Sequence, residues 1–89
     1  MPYTYLLECE DGSYYAGWTT SLKNRLEAHN SGKASKYTRA RLPVKFVYWE
    51  EYESKVEAQK REAAIKALTR QKKEKLVSSF QESHNRMKE

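Results

Sequence analysis

The sequence predicts one small α+β domain whose elements follow the order β-β-α-β-α-α. Two segments rich in strand-forming residues flank an Asp-Gly pair near the start of the chain, and segments with helical spacing fill most of the second half. The length of 89 residues leaves room for only one hydrophobic core. We expect a single domain over residues 1–80 and a polar C-terminal tail over residues 81–89.

The first two strands are expected to form an antiparallel hairpin. Residues 3–9 and 13–18 are dense in residues that favour strands, and Gly12 between them supplies the positive φ that a tight turn requires. Alternation along the first strand and antiparallel pairing bring Tyr5 and Tyr15 to the same part of the sheet. This arrangement predicts a tyrosine cluster, and the alternative is ordinary aromatic packing of a hairpin.

A short helix over residues 22–30 follows the hairpin. Ser21 and the two threonines before it are suitable N-caps, and Gly32 ends the helical pattern. At 100° per residue, Arg25 and His29 lie one turn apart beside the apolar stripe, on the edge that faces the sheet. Polar side chains in that position need partners, because an unpaired buried charge is costly.

Residues 31–42 form a basic loop before Pro43, and the segment from Val44 to Tyr52 is predicted to be the third strand. Apolar residues occupy both faces of this segment, which is typical of a central strand covered on both sides. Alternation assigns them to two faces, with Val44, Phe46 and Tyr48 on one and Val47 and Trp49 on the other.

Two further helices complete the predicted domain. The capping-box pattern of Ser54 and Glu57 opens the first of them, which runs to about Leu68. Its expected inner face consists of Val56, Ala63, Ala64, Ala67 and Leu68. The last helix covers residues 71–80 and is expected to pack through Leu76, Val77 and Phe80.

Composition excludes several classes of protein. Cys9 is the single cysteine, which rules out an internal disulfide and a zinc site built on several thiolates, and we expect it to be a small strand residue. The three glycines form no phosphate-binding fingerprint, which disfavours nucleotide cofactors. No apolar run approaches the ~20 residues of a membrane span and no signal-peptide pattern opens the chain, so we expect a cytoplasmic protein without membrane association.

Positive charge is concentrated in one part of the chain. The formal net charge is +5, and residues 21–49 hold seven basic residues against one acidic residue, whereas residues 1–20 hold three acidic residues and no basic one. Such clustering favours a polyanionic partner, and a solvated basic surface is the alternative. Tyr37, within the basic loop, is expected either to stack on an unpaired base or to pack on the sheet. The candidate nucleic-acid-binding residues are Lys23, Lys33, Lys36, Tyr37, Arg39 and Arg41.

Two tyrosine-containing tripeptides carry a family resemblance. Tyr3-Thr4-Tyr5, followed after nine residues by Tyr15-Ala16-Gly17, resembles the paired signature of the GIY-YIG nuclease superfamily. Arg25, His29-Asn30 and Glu62 follow at family-like distances. Within the superfamily, the chain is most similar to the small stand-alone bacterial UPF0213 proteins and to the nuclease domain of a eukaryotic structure-specific endonuclease subunit. The resemblance implies a three-stranded antiparallel sheet flanked by helices, which agrees with the element order above.

The resemblance also implies a role for each matching residue. Tyr15 takes a proton from water, either directly or with Tyr5 hydrogen-bonded nearby. Glu62 binds one Mg²⁺ or Mn²⁺, and Arg25 holds the negative charge of the scissile phosphate. His29 positions the water or the phosphate, or competes with Tyr15 for the role of base.

Each of these residues also has a purely structural explanation. Glu62 forms an ordinary i,i+4 pair with Lys66, His29 caps the end of its helix, and Gly17 only lets the backbone approach a neighbour closely. Arg25 pairs, on this alternative, with one of three acidic residues, Glu50, Glu51 and Glu53.

The implied function is that of a divalent-metal-dependent endonuclease that hydrolyses DNA phosphodiester bonds, with branched or single-stranded DNA as candidate substrates and DNA repair as a candidate process. The alternative is a nucleic-acid-binding module with weak or no catalysis. Trp18 stands where many family members carry a lysine, so that phosphate-directed cation is absent or supplied by another lysine. A third alternative is that the basic surface binds a protein or RNA partner such as the ribosome.

Overall fold

A computed structural model describes the backbone of residues 1–87 and the side chains of residues 1–83. The elements are β1 (Tyr3–Glu8), β2 (Tyr14–Thr19), α1 (Leu22–Asn30), α2 (Lys36–Arg39), β3 (Lys45–Glu51), α3 (Lys55–Lys66) and α4 (Arg70–Met87). The predicted α+β class and order of elements are confirmed, and α2 is an additional short helix inside the predicted basic loop. None of the described helices is both long and apolar enough to span a membrane.

The three strands form one antiparallel sheet in the order β2-β1-β3. The predicted hairpin is confirmed, and Gly12 adopts a φ of 84° in its turn. The prediction that the third strand is central is wrong, because β1 lies in the middle and β3 at an edge. Apolar residues nevertheless occupy both faces of β3, since each face of the sheet packs against helices.

A β-bulge at Val47 changes which residues of β3 share a face. Leu6 pairs with Tyr48 and Leu7 pairs with Phe46, so Val47 is an extra residue between two paired positions. As a result Val47 and Tyr48 both join the core around Leu6, whereas Phe46 stays with Leu7. The predicted grouping of Tyr48 with Phe46 is therefore wrong.

Two hydrophobic clusters cover the two faces of the sheet, so the expectation of only one hydrophobic core is wrong. The first contains residues from β1, β2, β3, α3 and α4, namely Leu6, Ala16, Val47, Tyr48, Ile65 and Val77. Leu76, Leu68 and Phe80 pack against it, as predicted for α4 in the case of Leu76 and Phe80. The second cluster contains Tyr5, Leu7, Cys9 and Val44, with Leu22 and Leu26 of α1 packed against it. Helix α1 therefore lies on the face that carries Tyr5.

The inner face of α3 differs from the predicted one. Ser54 caps the helix as expected, and its hydroxyl accepts a hydrogen bond from the Glu57 amide at 3.2 Å. The buried residues, however, are Ala58 and Ile65, and Val56 is 58% exposed. Ala63, Ala64 and Ala67 are also exposed, and of the predicted face only Leu68 is half-buried. The helix is held in this rotation by the hydroxyl of Thr4, which donates to the Ala58 carbonyl at 2.7 Å.

Helix α4 continues beyond its predicted end at Phe80 and reaches Met87. Residues 81–87 of the predicted polar tail are therefore helical, and no glycine or proline interrupts the segment. Residues 88–89 of the predicted tail lie outside the described residues.

Candidate active site

Tyr5 stands at the centre of the candidate site. It pairs with Gly17 across the β1–β2 ladder and is only 2% exposed. A Cβ atom at Gly17 would lie 2.6 Å from Cζ of Tyr5 and closer still to its hydroxyl oxygen. The phenol ring therefore fills the space that a side chain at position 17 would need, which explains why this position is occupied by glycine.

The imidazole of His29 joins α1 to this tyrosine. His29 is 1% exposed, and its Nε2 lies 2.9 Å from the hydroxyl of Tyr5. Its Nδ1 lies 2.9 Å from Oγ1 of Thr38 in α2. The ring of Tyr15, which is half-buried on β2, approaches the imidazole edge-on with 5.4 Å between the ring centroids. Both tyrosines of the predicted catalytic set therefore contact the same histidine.

Burial keeps the inner groups of this site neutral. Burial, and then the charge of Arg25, lowers the pKa of His29 from 6.5 to about 4. Burial is also the main reason that the pKa of Tyr5 is raised well above its ordinary value, with a further contribution from Tyr15. At neutral pH the pair of Tyr5 and His29 is therefore uncharged.

Arg25 brings an uncompensated positive charge to the site. Its Nε donates to Oγ1 of Thr19 at 3.5 Å, and within residues 1–83 no carboxylate lies at ion-pair distance from the guanidinium. The alternative pairing with Glu50 does not occur, because Glu50 binds Arg61 at 2.9 Å. Arg25 also lines an open cavity of about 320 Å³ at the start of α1, together with Thr19, Thr20, Ser21, Asn24 and Ala28.

Glu62 is the one acidic residue in the predicted catalytic set. Its side chain is 22% exposed, and Nζ of the more exposed Lys66 lies 3.9 Å from Oε2, which is the expected i,i+4 pair. The charge of Glu62 contributes to the raised pKa of Tyr5, so the carboxylate acts on the tyrosine hydroxyl through space. Hydrogen bonding and ring contact thus link Tyr5, Tyr15 and His29, whereas Arg25 and Glu62 lie near enough for their charges to affect the pKa of Tyr5.

The resemblance to GIY-YIG nucleases implies a divalent cation, for which acidic side chains are the expected donors. Among the described residues, no group of three or more histidine, cysteine, aspartate or glutamate side chains meets at one point. Magnesium commonly retains several waters and binds one or two carboxylates together with substrate phosphates. Glu62, a half-buried carboxylate with a single distant lysine partner, fits a site of that kind.

The basic loop contributes one wall of the site. The ring of Tyr37 stacks on Tyr15 with 6.0 Å between centroids and an interplanar angle of 23°. The guanidinium of Arg41 lies 3.9 Å from the centroid of the Tyr37 ring, and its Nε donates to Asp11 at 3.0 Å. Arg41 is therefore engaged within the protein. Four other predicted nucleic-acid-binding residues are exposed and form no ion pair with a described residue, namely Lys23, Lys33, Lys36 and Arg39.

Two residues of the site environment were missed in the sequence. Thr38 is fully buried against His29. It lies within the predicted basic loop, where no sequence pattern distinguishes it from its neighbours. The one argument that could have predicted its role is that a buried histidine needs a hydrogen-bond partner for its second ring nitrogen. Asn30 belonged to the family resemblance without a role, and its side-chain amide bonds both the carbonyl and the amide of Val44, at 3.1 and 2.8 Å. These bonds fix the end of α1 to the start of β3.

Comparisons with known proteins agree with this fold and with the family resemblance. A family model described as the GIY-YIG catalytic domain matches residues 1–75. A UPF0213 protein of Clostridium perfringens is 56% identical over 79 residues, which cover 89% of this chain and 85% of that protein. A UPF0213 protein of Streptococcus pneumoniae is 54% identical over 80 residues, which cover 90% of this chain and 81% of that protein.

Solved structures show the same α+β fold. The solution NMR structure of a UPF0213 protein from Bacillus halodurans has a TM-score of 0.56 at 49% identity and covers 88% of this chain and 84% of that chain. The solution NMR structure of a protein from E. faecalis has a TM-score of 0.58 at 47% identity, with coverage of 89% and 84%. The match of the family model over residues 1–75 and the identities of 56% and 54% to the Clostridium perfringens and Streptococcus pneumoniae proteins show that the chain belongs to the GIY-YIG family, among the small stand-alone UPF0213 proteins.

Proposed function

We propose that this protein is a divalent-metal-dependent endonuclease that hydrolyses phosphodiester bonds of DNA. The observation that carries the proposal is the contact of Tyr5 and Tyr15 with the same buried imidazole, His29, near the guanidinium of Arg25, which has no ion-pair partner within residues 1–83. A purely structural aromatic cluster does not require an arginine at its edge, and within residues 1–83 no carboxylate pairs with this guanidinium, which leaves it able to bind an anion.

Tyr15 is the better candidate for the base: once its hydroxyl has released its own proton to solvent, the phenolate can take a proton from the attacking water. His29 is 1% exposed, and both of its ring nitrogens are already within hydrogen-bond distance of protein hydroxyls. Tyr5 is similarly enclosed, and its hydroxyl lies against His29. Tyr15 is only half-buried, so its hydroxyl is the member of the cluster best suited to meet a water molecule.

Arg25 is the candidate ligand of the scissile phosphate. A guanidinium offers parallel N–H donors that match two phosphate oxygens, and its charge offsets the charge that grows on the phosphate in the transition state. Its position on an open cavity at the start of α1 leaves the guanidinium accessible to a phosphate, although Arg25 is the only candidate catalytic residue among the residues that line this cavity.

Glu62 is the candidate metal ligand. When bound, a divalent cation supplies Lewis-acid stabilisation of the negative charge on the departing 3′ oxygen. The half-buried carboxylate of Glu62 suits this task, because oxygen donors are the ligands that hard cations prefer. Lys66 lies only at the limit of ion-pair distance and leaves acceptor capacity on the carboxylate.

The exposed cations extend the site towards a polyanion. Lys23 lies on α1, Lys36 and Arg39 lie on α2, and Lys33 lies between the two helices; such exposed cations bind phosphates without reading bases. We therefore expect selection by DNA structure, with branched or single-stranded DNA preferred over a defined duplex sequence.

The test is cleavage of supercoiled plasmid, branched oligonucleotides and single-stranded DNA in the presence of Mg²⁺ or Mn²⁺. We expect Tyr15→Phe and Glu62→Gln to lose at least about 100-fold in rate, as removal of a general base or a metal ligand does. Tyr14→Phe is the matched control for the first change, because Tyr14 lies on β2 beside Arg70. Glu53→Gln, an exposed carboxylate before α3, is the control for the second.

Equal activity in wild type and both site variants would overturn the proposal, since a contaminating nuclease would then account for the cleavage. Salt-sensitive DNA binding without cleavage of any substrate would instead identify a nucleic-acid-binding module.

A further inference from the structure

We propose that Thr38 is a positioning residue that holds His29 in the tautomer with its proton on Nδ1 and thereby commits the hydroxyl proton of Tyr5 to His29. The catalytic meaning of this arrangement rests on the proposed nuclease function, whereas the tautomer itself does not. Thr38 would then be a further determinant of the reaction, placed outside the paired tripeptides.

The direction of the hydrogen bonds starts in α2. Ser35 caps this helix, and the hydroxyl of Thr38 donates to the Ser35 carbonyl at 3.3 Å. A threonine hydroxyl has one proton, and a carbonyl oxygen can only accept. Once that proton points to Ser35, Oγ1 of Thr38 is left as an acceptor towards Nδ1 of His29 at 2.9 Å.

The hydrogen-bonding role of Nε2 of His29 follows from the protonation of Nδ1. In a neutral histidine with the proton on Nδ1, Nε2 is an acceptor. The hydroxyl of Tyr5 at 2.9 Å must therefore donate to it. Every buried side-chain polar atom among the described residues has a hydrogen-bond partner, so this chain of bonds is complete from Ser35 to Tyr5.

The surroundings of the imidazole protect this arrangement. Thr38, His29 and Tyr5 are 0%, 1% and 2% exposed, so bulk water does not compete for their donors and acceptors. The nearby positive charge of Arg25 opposes a second proton on the ring.

The arrangement assigns different tasks to the two tyrosines. With its proton donated to His29, Tyr5 can only accept a hydrogen bond from a further group on the site side, such as the Tyr15 hydroxyl or the attacking water. Tyr5 then orients a donor while Tyr15 remains free to exchange its proton. Loss of the Thr38 hydroxyl removes the acceptor that holds the proton on Nδ1, and it lets the opposite tautomer donate from Nε2 to Tyr5.

The tautomer is measured directly by long-range ¹H–¹⁵N correlation spectra of the full-length protein at pH 7, with His29→Gln used to assign the ring. In wild type we expect a protonated Nδ1 and an unprotonated Nε2. Thr38→Val keeps the side-chain shape without the hydroxyl and should shift the ring towards the Nε2–H form, and Thr38→Ser should restore the wild-type pattern. An Nε2–H tautomer in wild type, or an unchanged tautomer in folded Thr38→Val, would overturn the proposal. Should Thr38→Val fail to fold, the wild-type spectrum alone still decides the tautomer.

Cleavage kinetics separate positioning from structure. We expect Thr38→Val to reduce kcat by about 10- to 100-fold with little change in DNA affinity, and Thr38→Ser to recover most of the rate. A wild-type rate in Thr38→Val would contradict the positioning role. If wild type cleaves no DNA at all, the proposed function and the catalytic half of this inference fail together, whereas the spectra still confirm or reject the tautomer.

Discussion

Tyr5 and Gly17 face each other across the β1–β2 ladder, and the Tyr5 ring occupies the space where a side chain at position 17 would stand. Gly17 does not adopt a positive φ, unlike Gly12 and Gly32, so backbone freedom is not the reason for this glycine. The reason is contact, because the hydroxyl that passes over Gly17 is the one that meets His29. The glycine of the second tripeptide thus makes room for the tyrosine of the first.

Gly17→Ala should therefore disturb the site as well as the fold. The added Cβ would lie 2.6 Å from Cζ of Tyr5, so β2 or the ring must move. We expect a loss of about 1–3 kcal/mol in the free energy of unfolding, as for other overpacked sites, together with changed His29 ring resonances. Urea denaturation and NMR spectra provide the two measurements.

Gly12→Ala is the control for this change. No atom lies within 4 Å of a Cβ at Gly12, and its cost of about 1 kcal/mol comes from the positive φ alone. It should leave His29 unchanged. If both variants altered the His29 resonances equally, the contact between Tyr5 and position 17 would not explain the effect.

The sequence was sufficient to predict how β1, β2 and α1 present the site. Alternation placed Tyr5 and Tyr15 together, and helical spacing placed Arg25 and His29 on the edge facing the sheet, since these periods are local properties of strand and helix. The structure brings these four residues to one place, although their catalytic roles stay predictions.

Other features depend on contacts between distant segments. The bulge at Val47 breaks the two-residue period of β3, and no local pattern announces an extra residue. The predicted inner face of α3 is wrong because it rests on the rule that apolar residues face inward. In the structure Arg61 lies half-buried against Glu50, and Val56 faces outward. A charge satisfied by a distant partner looks like a surface residue in the sequence.

The ion pair between Glu50 and Arg61 should stabilise the attachment of α3 to β3. The Glu50 carboxylate accepts two bonds from Arg61, at 2.9 and 3.1 Å, and further bonds from the hydroxyls of Tyr48 and Tyr52. Arg61→Met leaves this partly buried carboxylate without its cation. We expect the free energy of unfolding to fall by about 1–2 kcal/mol, measured by urea denaturation.

Lys60→Met, a change at the exposed neighbouring position, is the control and should stay within about 0.5 kcal/mol of wild type. An Arg61→Met protein as stable as Lys60→Met would show that the pair contributes nothing measurable.

Burial of His29 should make stability depend on pH in a defined window. Tyr5, Tyr15, Thr38 and Arg25 face the imidazole, whose pKa is about 4 in the folded protein against 6.5 for an ordinary histidine. Between these values the unfolded chain binds a proton that the folded chain does not, so folding is destabilised as the pH falls from 6.5 towards 4. The loss reaches at most about 3 kcal/mol at the acid end.

The comparison with His29→Gln isolates this contribution, because glutamine does not titrate. Unfolding free energies measured from pH 7 to pH 4 should fall more steeply for wild type than for the variant. Parallel curves would mean that His29 takes up its proton equally in both states.

Arg25 and Lys23 should differ in what their removal does to DNA. Arg25 is half-buried near His29 and has no carboxylate partner among residues 1–83, whereas Lys23 is exposed on the same helix. We expect Arg25→Ala to reduce kcat by about 100- to 1,000-fold, because it removes charge stabilisation that matters most in the transition state. Arg25→Lys should recover only part of this loss, since an ammonium cannot grip two phosphate oxygens in one plane.

Lys23→Ala should leave kcat unchanged, weaken DNA binding modestly on every substrate, and lower the salt dependence of binding by about one phosphate contact. Single-turnover cleavage and binding titrations at several salt concentrations measure these quantities, and an Arg25→Ala protein that loses affinity but keeps its rate would assign Arg25 to general DNA binding instead of catalysis.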